Sequence, residues 1–367
     1  RYFAQLFDSI PDTTFFLSEK NKSGLNITPH RVHLLTKKQQ LRDYLKSPLK
    51  AWRRLKENDN DKKRDFFYQE VERSAASGEF DVALTGSDRS LHTLASLKAK
   101  GHKFKLVYWI PFTIPFVDMF DPRSLAIRQA AFPQVDLFVA ITDTCRRVLL
   151  LEGIPEEKIV HVYPGVDTEV FQPRPQPKQD DVFRILLVGK LVSWKGCYTL
   201  LYAAKALLSE IPNLELMFVG QGAQRQGLEQ AAELLGIKDR VKFTGFLKYD
   251  ALPDIYAQSD AFVLPALPAI NLAEQFGFVV AEAMACGLPA VVSRVGGLPE
   301  VVGGREELIF TPGDFHELAD RLRAIHASKQ LAAELGQHCL AHARAHYDAN
   351  KNGLVLKAVL EKMEQGK

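Results

Sequence analysis

The 367-residue chain is long enough for two domains, each with its own hydrophobic core. Hydrophobic residues make up 46% of the chain and charged residues 25%, ordinary values for a globular protein that exclude the disordered and fibrous classes. The 47 basic and 44 acidic residues leave a net charge of +3, which is too balanced to predict nucleic acid as a partner.

The four cysteines are scattered and form no CxxC pair, which favours buried thiols in a reducing compartment over disulfides or a zinc site. No apolar run approaches the ~18 residues that a membrane span needs, and the N-terminus has no signal-peptide pattern. We therefore expect a cytoplasmic protein. The opening stretch "RYFAQLFDSI" has the pattern of a helix already under way, so we expect upstream residues to be missing.

Short apolar runs rich in β-branched residues alternate with helical stretches along the whole chain, a rhythm typical of buried parallel strands. In the first half, the predicted strands cover residues 13–18, 31–35, 81–86, 104–110, 136–142 and 158–163. In the second half, they cover 183–189, 214–220, 241–246, 260–266, 289–293 and 307–310. Two α/β units in series follow from this pattern.

The stretch "PGVDTEVFQPRPQPKQDD" separates the two series, and its prolines and charges are typical of a linker. We place the boundary after Asp167, which gives an N-terminal domain of residues 1–167 and a C-terminal domain of residues 168–350. Residues 351–367 carry an apolar stripe at helical spacing, so we expect a final helix that docks on the rest of the protein.

Residues 37–65 form a local basic segment, with eleven basic residues against five acidic ones. A predicted helix starting at Ser47-Pro48 has an apolar stripe there, so the segment is a candidate for peripheral contact with an anionic membrane. A solvated face packed on its own domain explains the same pattern. The one DxD-like match, Asp59-Asn60-Asp61, follows no strand, and we interpret it as a solvated loop.

A predicted strand ends at Val188 and is followed by Gly189, a loop that carries Lys190 and Lys195, and a helix that starts near Gly196. Backbone amides at a helix N-terminus and two ammonium groups together suit a diphosphate. Two solvated loop lysines would give the same pattern. The turn "VGQG" at 219–222 ends the next strand, but it is only part of a dinucleotide fingerprint.

The stretch "EQFGFVVAEAMACGLPAVVS" places two carboxylates, Glu274 and Glu282, among residues that otherwise belong in a core. Ligands of open α/β sheets bind at the carboxyl ends of the strands, where this stretch begins. Carboxylates accept hydrogen bonds from vicinal hydroxyls, so the two acids suit two sugar rings joined by phosphates. The alternative is a pair of helix-end acids favoured by the helix dipole.

These motifs, together with "FTGFL" and "RVGGLPEVV", resemble the retaining glycosyltransferases of family 4 in both order and spacing. The resemblance covers roughly residues 135–320. It implies an α/β protein of GT-B architecture, in which two Rossmann-like domains face each other across a cleft and the final helix, residues 351–367, packs back across the domain junction. The N-terminal domain would then bind the acceptor and the C-terminal domain the donor. The family's first strand and its Gly-rich loop have no counterpart in this sequence.

The resemblance also implies a role for each motif residue. Lys190 and Lys195 would clamp the donor diphosphate, and Glu274 would bind hydroxyls of the donor sugar; these three are the implied catalytic residues. Glu282 would bind the ribose, and the Gly296-Gly297 turn before Glu300 matches the family's GGxxE turn close to the donor. The remaining implied donor-binding residues are Gly189, Gly220, Phe246, Leu247, Gly277, Phe278 and Val279.

The implied activity is the transfer of a hexose from a UDP-, GDP- or ADP-sugar to an acceptor hydroxyl, with retention of configuration and without a metal or other cofactor. The acceptor is left open among glycans, lipid-linked substrates and small molecules. One departure concerns the acceptor side: many members have a histidine after the fourth N-domain strand, where this chain has Phe112, Thr113 and Pro115. Two alternatives remain, a phosphorylase of the same fold and a catalytically silent scaffold or partner subunit.

Overall fold

The computed structural model describes residues 73, 81–86, 88–117, 121–174 and 181–364. The predicted strands at 13–18 and 31–35, the basic segment 37–65 and the Asp59-Asn60-Asp61 motif lie outside the described residues. The described chain forms two separate parallel sheets, one in each half of the sequence.

The first sheet has the parallel strand order β1-β2-β3-β4. Alternate residues of β2 face opposite sides of this sheet: Leu106 and Tyr108 belong to a core formed with the first helix, whereas Val107 and Trp109 belong to the larger core. Four predicted strands are thereby confirmed. The elements are β1 (Val82–Thr85), α1 (Asp88–Ala99), β2 (Lys105–Ile110), α2 (Pro122–Ala131), β3 (Leu137–Ala140), α3 (Asp143–Leu151) and β4 (Ile159–His161).

The second sheet has six parallel strands in the order β10-β9-β8-β5-β6-β7. Helices cover both faces of a sheet of this kind, which explains why its strands are continuous apolar runs. The six predicted strands are confirmed. The elements are β5 (Phe183–Val188), α4 (Cys197–Leu207), β6 (Leu214–Val219), α5 (Arg225–Leu234), β7 (Val241–Gly245), α6 (Leu252–Ala257), β8 (Ala261–Leu264), α7 (Phe278–Ala285), β9 (Ala290–Ser293), α8 (Leu298–Val301), β10 (Ile309–Phe310), α9 (Phe315–Ala327) and α10 (Lys329–His346).

The strand order reverses direction between β5 and β8. From β5 the chain builds β6 and β7 on one side, and it then returns to place β8, β9 and β10 on the other side. Loops that leave β5 and β8 at their carboxyl ends therefore diverge and open a crevice, which is where doubly wound sheets bind ligands. These are the loops that carry Lys195 and Glu274.

The last helix, α11 (Ala349–Glu364), connects the two halves of the protein. It contacts β1 of the first sheet, and its start packs so closely on the linker that a Cβ on Gly165 would lie 2.2 Å from Ala349 Cα. The linker also packs on the second half, because Phe171 is fully buried against Tyr249. The domain boundary at Asp167 stays a prediction. Among the described residues, no helix has both the length and the apolar character needed to cross a membrane.

Candidate active site

The structure brings Lys195 and Glu274 together at the crevice between β5 and β8. Lys195 Nζ lies 2.5 Å from Glu274 Oε2, and the two side chains are only 16% and 15% exposed. Gly196 makes this approach possible: it has a φ of +65°, and a Cβ there would lie 1.7 Å from the Pro265 carbonyl oxygen in the loop after β8. Only glycine fits at this point.

Lys190 lies on the same loop, but its side chain is exposed. Among the residues that the structure describes, no ion pair involves it. The neighbouring thiol of Cys197 is buried, and burial raises its pKa to about 12, so it is protonated at neutral pH and no nucleophile. Within the described ranges, the loop therefore offers one ammonium group that forms no ion pair and one that is paired with a carboxylate.

The turns after β5, β6 and β7 stack on one another at the same edge of the sheet. Gly189 N donates to Val219 O at 2.9 Å, and Gly220 N donates to Gly245 O at 2.8 Å. Gly220 has a φ of +138°, and a Cβ there would lie 1.9 Å from Gly189 O, so this stacking requires glycine. Phe246 follows directly and is 76% exposed, which leaves an aromatic ring at the rim.

Gly277 starts α7 beside Glu274. It has a φ of +77°, and Phe278 and Val279 are the first two residues of the helix. Val280 N of this first turn donates to Gly277 O at 2.8 Å, and the helix dipole makes this end of α7 positive. The site thus has the anion-binding end of a helix next to the Lys195–Glu274 pair.

Glu282, the second acid of the motif, lies on α7, and its role as a ribose contact stays a prediction. Its side chain is fully buried, and Glu282 Oε2 accepts a hydrogen bond from the Tyr256 hydroxyl at 2.8 Å. The carboxylate reaches from α7 to α6 because this position on α7 faces the core. The helical period decides that direction, and the eight-residue spacing between the two acids does not show it. A carboxylate can accept several hydrogen bonds, so the bond to Tyr256 does not by itself exclude a contact with ribose.

Glu300 has a role that the sequence did not reveal. Its carboxylate crosses to the first half of the protein and accepts hydrogen bonds from Asp143 N at 2.6 Å and Thr144 N at 3.0 Å, at the N-terminus of α3. It also accepts hydrogen bonds from the Thr144 hydroxyl at 3.0 Å and the Tyr163 hydroxyl at 2.8 Å. Burial and the bond to Glu300 both raise the pKa of Tyr163, which stays neutral. The motif "ITDT" signals the helix start, but nothing in it signals the distant acid.

The Gly296-Gly297 turn lies between the Glu274 loop and the first sheet. Gly297 N donates to Glu274 O at 3.0 Å, and a Cβ on Gly296 would lie 2.0 Å from that same oxygen. On its other side, the turn contacts Thr113 and Thr142, which follow β2 and β3. The carboxyl ends of both sheets therefore meet at this turn. Within the described part of the chain, no group of three or more His, Cys, Asp or Glu side chains could hold a metal ion.

Two family models match nearly the whole chain. The model described as "Glycosyltransferase Family 4" matches residues 23–170, and the model described as "Glycosyl transferases group 1" matches residues 169–339. Their meeting point coincides with the predicted linker, so each model accounts for one of the two sheets.

Curated relatives match about half of the chain. The phosphatidylinositol N-acetylglucosaminyltransferase gpi3 subunit of Schizosaccharomyces pombe is 29% identical over 192 residues, which cover 52% of this chain and 41% of that protein. The GDP-mannose-dependent alpha-(1-6)-phosphatidylinositol monomannoside mannosyltransferase of Mycolicibacterium smegmatis is 31% identical over 193 residues, 50% of each chain. The matched part thus spans half or less of these relatives' own lengths.

Solved structures resemble the whole arrangement. The crystal structure of Anabaena HepE in complex with UDP superposes with a TM-score of 0.71 at 23% identity, and it covers 81% of this chain and 82% of its own. At this level of identity the likeness shows the fold alone. The GT-B fold of two Rossmann-like domains is confirmed.

Proposed function

The chain belongs to glycosyltransferase family 4, and we propose that it transfers a hexose from a nucleotide diphosphate sugar to an acceptor hydroxyl with retention of the anomeric configuration. The observation that carries this proposal is the Lys195–Glu274 ion pair in the crevice between β5 and β8. It combines a cation suited to phosphate with a carboxylate suited to hydroxyls, beside a helix N-terminus.

Lys195 would bind the donor diphosphate without losing Glu274. An ammonium group has three donors, so it can hold the carboxylate and a phosphate oxygen at once. As the bond to the sugar breaks, negative charge develops on the leaving diphosphate. Lys190, Lys195 and the first turn of α7 would stabilise that charge in a half-buried site, where the electrostatic interaction is stronger than in water.

Glu274 would hold the transferred sugar. Its carboxylate is fixed in direction by Lys195 and its main-chain oxygen by Gly297, so it needs little reorganisation to accept hydrogen bonds from sugar hydroxyls. Fixing the sugar ring beside the diphosphate fixes the face from which the acceptor attacks.

The nucleotide would lie along the turns after β5, β6 and β7, with the base near the exposed ring of Phe246 and the packed side chain of Leu247. Glu282 would accept a hydrogen bond from the ribose, and because a carboxylate accepts more than one bond, this contact is compatible with the bond from Tyr256. One relative is named for GDP-mannose and HepE was solved with UDP, which makes these two nucleotides the first to test.

For the acceptor, we propose a lipid-linked polyol. Two relatives are named for phosphatidylinositol substrates, and the loop after β2 on the acceptor side is apolar, with Phe116 exposed. Peripheral membrane contact through residues 37–65 and a cytoplasmic location remain part of this proposal, and that segment lies outside the described residues.

The test is a transfer assay with radiolabelled UDP-glucose and GDP-mannose, and with phosphatidylinositol vesicles as acceptor. Lys195→Met and Glu274→Gln should each lower kcat by about 10²–10³-fold, a loss typical of a group that stabilises developing charge. Matched controls are Lys205→Met and Glu233→Gln, at exposed positions of α4 and α5, which change the same charges far from the crevice and should leave kcat unchanged. The anomeric coupling of the product in an NMR spectrum tests retention.

Three results would contradict the proposal. Nucleotide binding without transfer to any acceptor would favour a silent scaffold. Turnover that needs a sugar phosphate and releases no nucleotide would favour a phosphorylase. Equal losses in the Lys195 variant and its Lys205 control would show that the loss of activity does not depend on the ion pair.

A further inference from the structure

Thr113 lies where the two sheets meet. It follows β2 of the first sheet, and its Oγ1 lies 3.1 Å from the position of a Cβ on Gly296. That same Cβ position is 2.0 Å from the carbonyl oxygen of Glu274. The Thr113 hydroxyl is therefore a neighbour of the loop that carries the sugar-binding carboxylate, and it approaches this loop from the opposite domain.

The hydroxyl of Thr113 is buried and has no hydrogen-bond partner among the described residues. A buried polar group without a partner destabilises the folded protein, so such groups are uncommon and call for an explanation. Unpaired hydroxyls beside a crevice are explained when a ligand completes their hydrogen bonds.

Thr142 provides an internal comparison, because it contacts the other glycine of the same turn. Its methyl group lies 3.2 Å from the position of a Cβ on Gly297, and its Oγ1 accepts a hydrogen bond from Cys145 N at 3.1 Å as the N-cap of α3. Thr142 thus uses its hydroxyl within the protein and turns its methyl to the turn. Thr113, in contrast, places its hydroxyl against the turn.

The position of Thr113 in the fold selects the ligand. The Gly296 turn follows β9 and the Glu274 loop follows β8, whereas the turns that carry Gly220 and Phe246 follow β6 and β7, which lie beyond β5 in the other half of the same sheet. Thr113 is therefore on the sugar side of the crevice, away from the nucleotide side. A single neutral hydroxyl both donates and accepts, which suits another hydroxyl better than a diphosphate.

We propose that Thr113 is a specificity-determining residue, whose hydroxyl bonds to a hydroxyl of the transferred sugar from the N-terminal domain while Glu274 holds the sugar from the C-terminal domain. This inference rests on the proposed function. It gives the acceptor-side loop, where the chain departs from the family's histidine, a direct part in choosing the donor sugar.

The test compares the binding of a nucleotide sugar with that of its free nucleotide by calorimetry, using UDP-glucose with UDP and GDP-mannose with GDP. Thr113→Val is isosteric and should weaken nucleotide-sugar binding about 5–10-fold, as expected for the loss of one neutral hydrogen bond, and leave nucleotide binding unchanged. Thr113→Ser should restore the affinity.

Stability gives a second and independent readout. Without ligand, Thr113→Val should have a Tm equal to or above that of the unchanged protein, because no hydrogen bond within the protein is lost. Thr142→Val, the matched control, should lower Tm because it removes a helix cap, and should leave the ratio of the two affinities unchanged.

Deoxy analogues of the bound sugar identify the contacted hydroxyl. One analogue should bind the unchanged protein about 5–10-fold more weakly than the parent sugar does. Thr113→Val should bind that analogue and the parent sugar with equal affinity.

Four results would overturn the inference. A lower Tm for Thr113→Val with an unchanged affinity ratio would show that the hydroxyl bonds within the protein or to an ordered water. Equal weakening of nucleotide and nucleotide sugar would place it at the diphosphate. A change confined to the acceptor KM would place it on the acceptor. If no nucleotide sugar bound the unchanged protein at all, the proposed function would fall together with this inference, whereas the first three results leave that function standing.

Discussion

Glu300→Gln tests the contact between the two domains, because it keeps the side chain's shape and removes its charge. Glu300 Oε1 accepts from Asp143 N at 2.6 Å and from the Tyr163 hydroxyl at 2.8 Å. Oε2 accepts from Thr144 N and from the Thr144 hydroxyl, both at 3.0 Å. An amide has only one oxygen, so one of the two main-chain N–H groups loses its acceptor, while the hydroxyl on the same side can turn and accept.

The magnitude follows from these two losses. An orphaned buried N–H group costs about 1–3 kcal/mol, and the loss of a negative charge at a helix N-terminus costs about 0.3–1 kcal/mol. Because Glu300 is half-buried, water recovers part of this, and we expect a loss of about 2 kcal/mol in the free energy of unfolding. For a domain of this size, that loss lowers Tm by roughly 4–8 °C.

Differential scanning calorimetry measures the effect, and Glu306→Gln is the matched control. Glu306 pairs with Arg294 at 2.5 Å on the exposed surface, so its variant changes the same charge and should shift Tm by no more than about 1 °C. Combining Glu300→Gln with Tyr163→Phe should give less than the sum of the two single effects, because the uncharged amide already weakens the bond that Tyr163→Phe removes.

A Tm for Glu300→Gln within about 1 °C of both the unchanged protein and Glu306→Gln would refute this reasoning. It would mean that the four hydrogen bonds do not hold the domains together in solution. If the stability losses of Glu300→Gln and Tyr163→Phe were fully additive, the hydrogen bond between Tyr163 and Glu300 would be refuted separately.

Three further predictions concern the site and its surroundings. Tyr256→Phe removes the donor to buried Glu282, and we expect urea unfolding to show a loss of about 1–2 kcal/mol; a loss below about 0.5 kcal/mol would show that the carboxylate does not depend on this bond. Gly277→Ala puts a Cβ on a residue with a φ of +77°, at 2.8 Å from Leu298 Cδ2. We therefore expect a loss of about 1–2 kcal/mol in the free energy of unfolding and weaker nucleotide-sugar binding in calorimetry. An unchanged affinity would show that the start of α7 is not part of the site. Burial, together with the two neighbouring histidines, lowers the pKa of His342 to about 4. The contribution of neutral His342 to the free energy of unfolding is therefore complete above pH 6.5 and is lost as the pH falls toward 4. His342→Asn should therefore reduce the loss of stability over that range by on the order of 1 kcal/mol, allowing for partial exposure, and an unchanged pH profile of urea midpoints would contradict this.

The strands could be predicted from the sequence because burial on both faces leaves a local signal. Runs such as "FRILLVG" and "DAFVLPA" are continuous and apolar, and both became central strands of the second sheet. The glycines and charged residues that follow such runs could also be predicted to lie at one edge, because parallel strands end at the same side of a sheet. This local information located Lys195 and Glu274.

The partner of each side chain could not be predicted in the same way. Glu282 and Glu274 belong to one motif, yet Glu282 is buried on Tyr256 and Glu274 pairs with Lys195. Helical period gives the direction in which a residue points, but the element it meets there depends on how α6 packs on α7.

The amino-acid sequence by itself determined the two series of buried strands and the polar residues at their ends, because hydrophobic period and turn chemistry act within a few residues. Only the tertiary structure decided which polar residues meet: Lys195 with Glu274 across 79 positions, and Glu300 with Asp143 across 157. Hydrogen bonds and ion pairs act over about 3 Å in space and carry no trace along the chain, so the packing of both sheets was needed to reveal them.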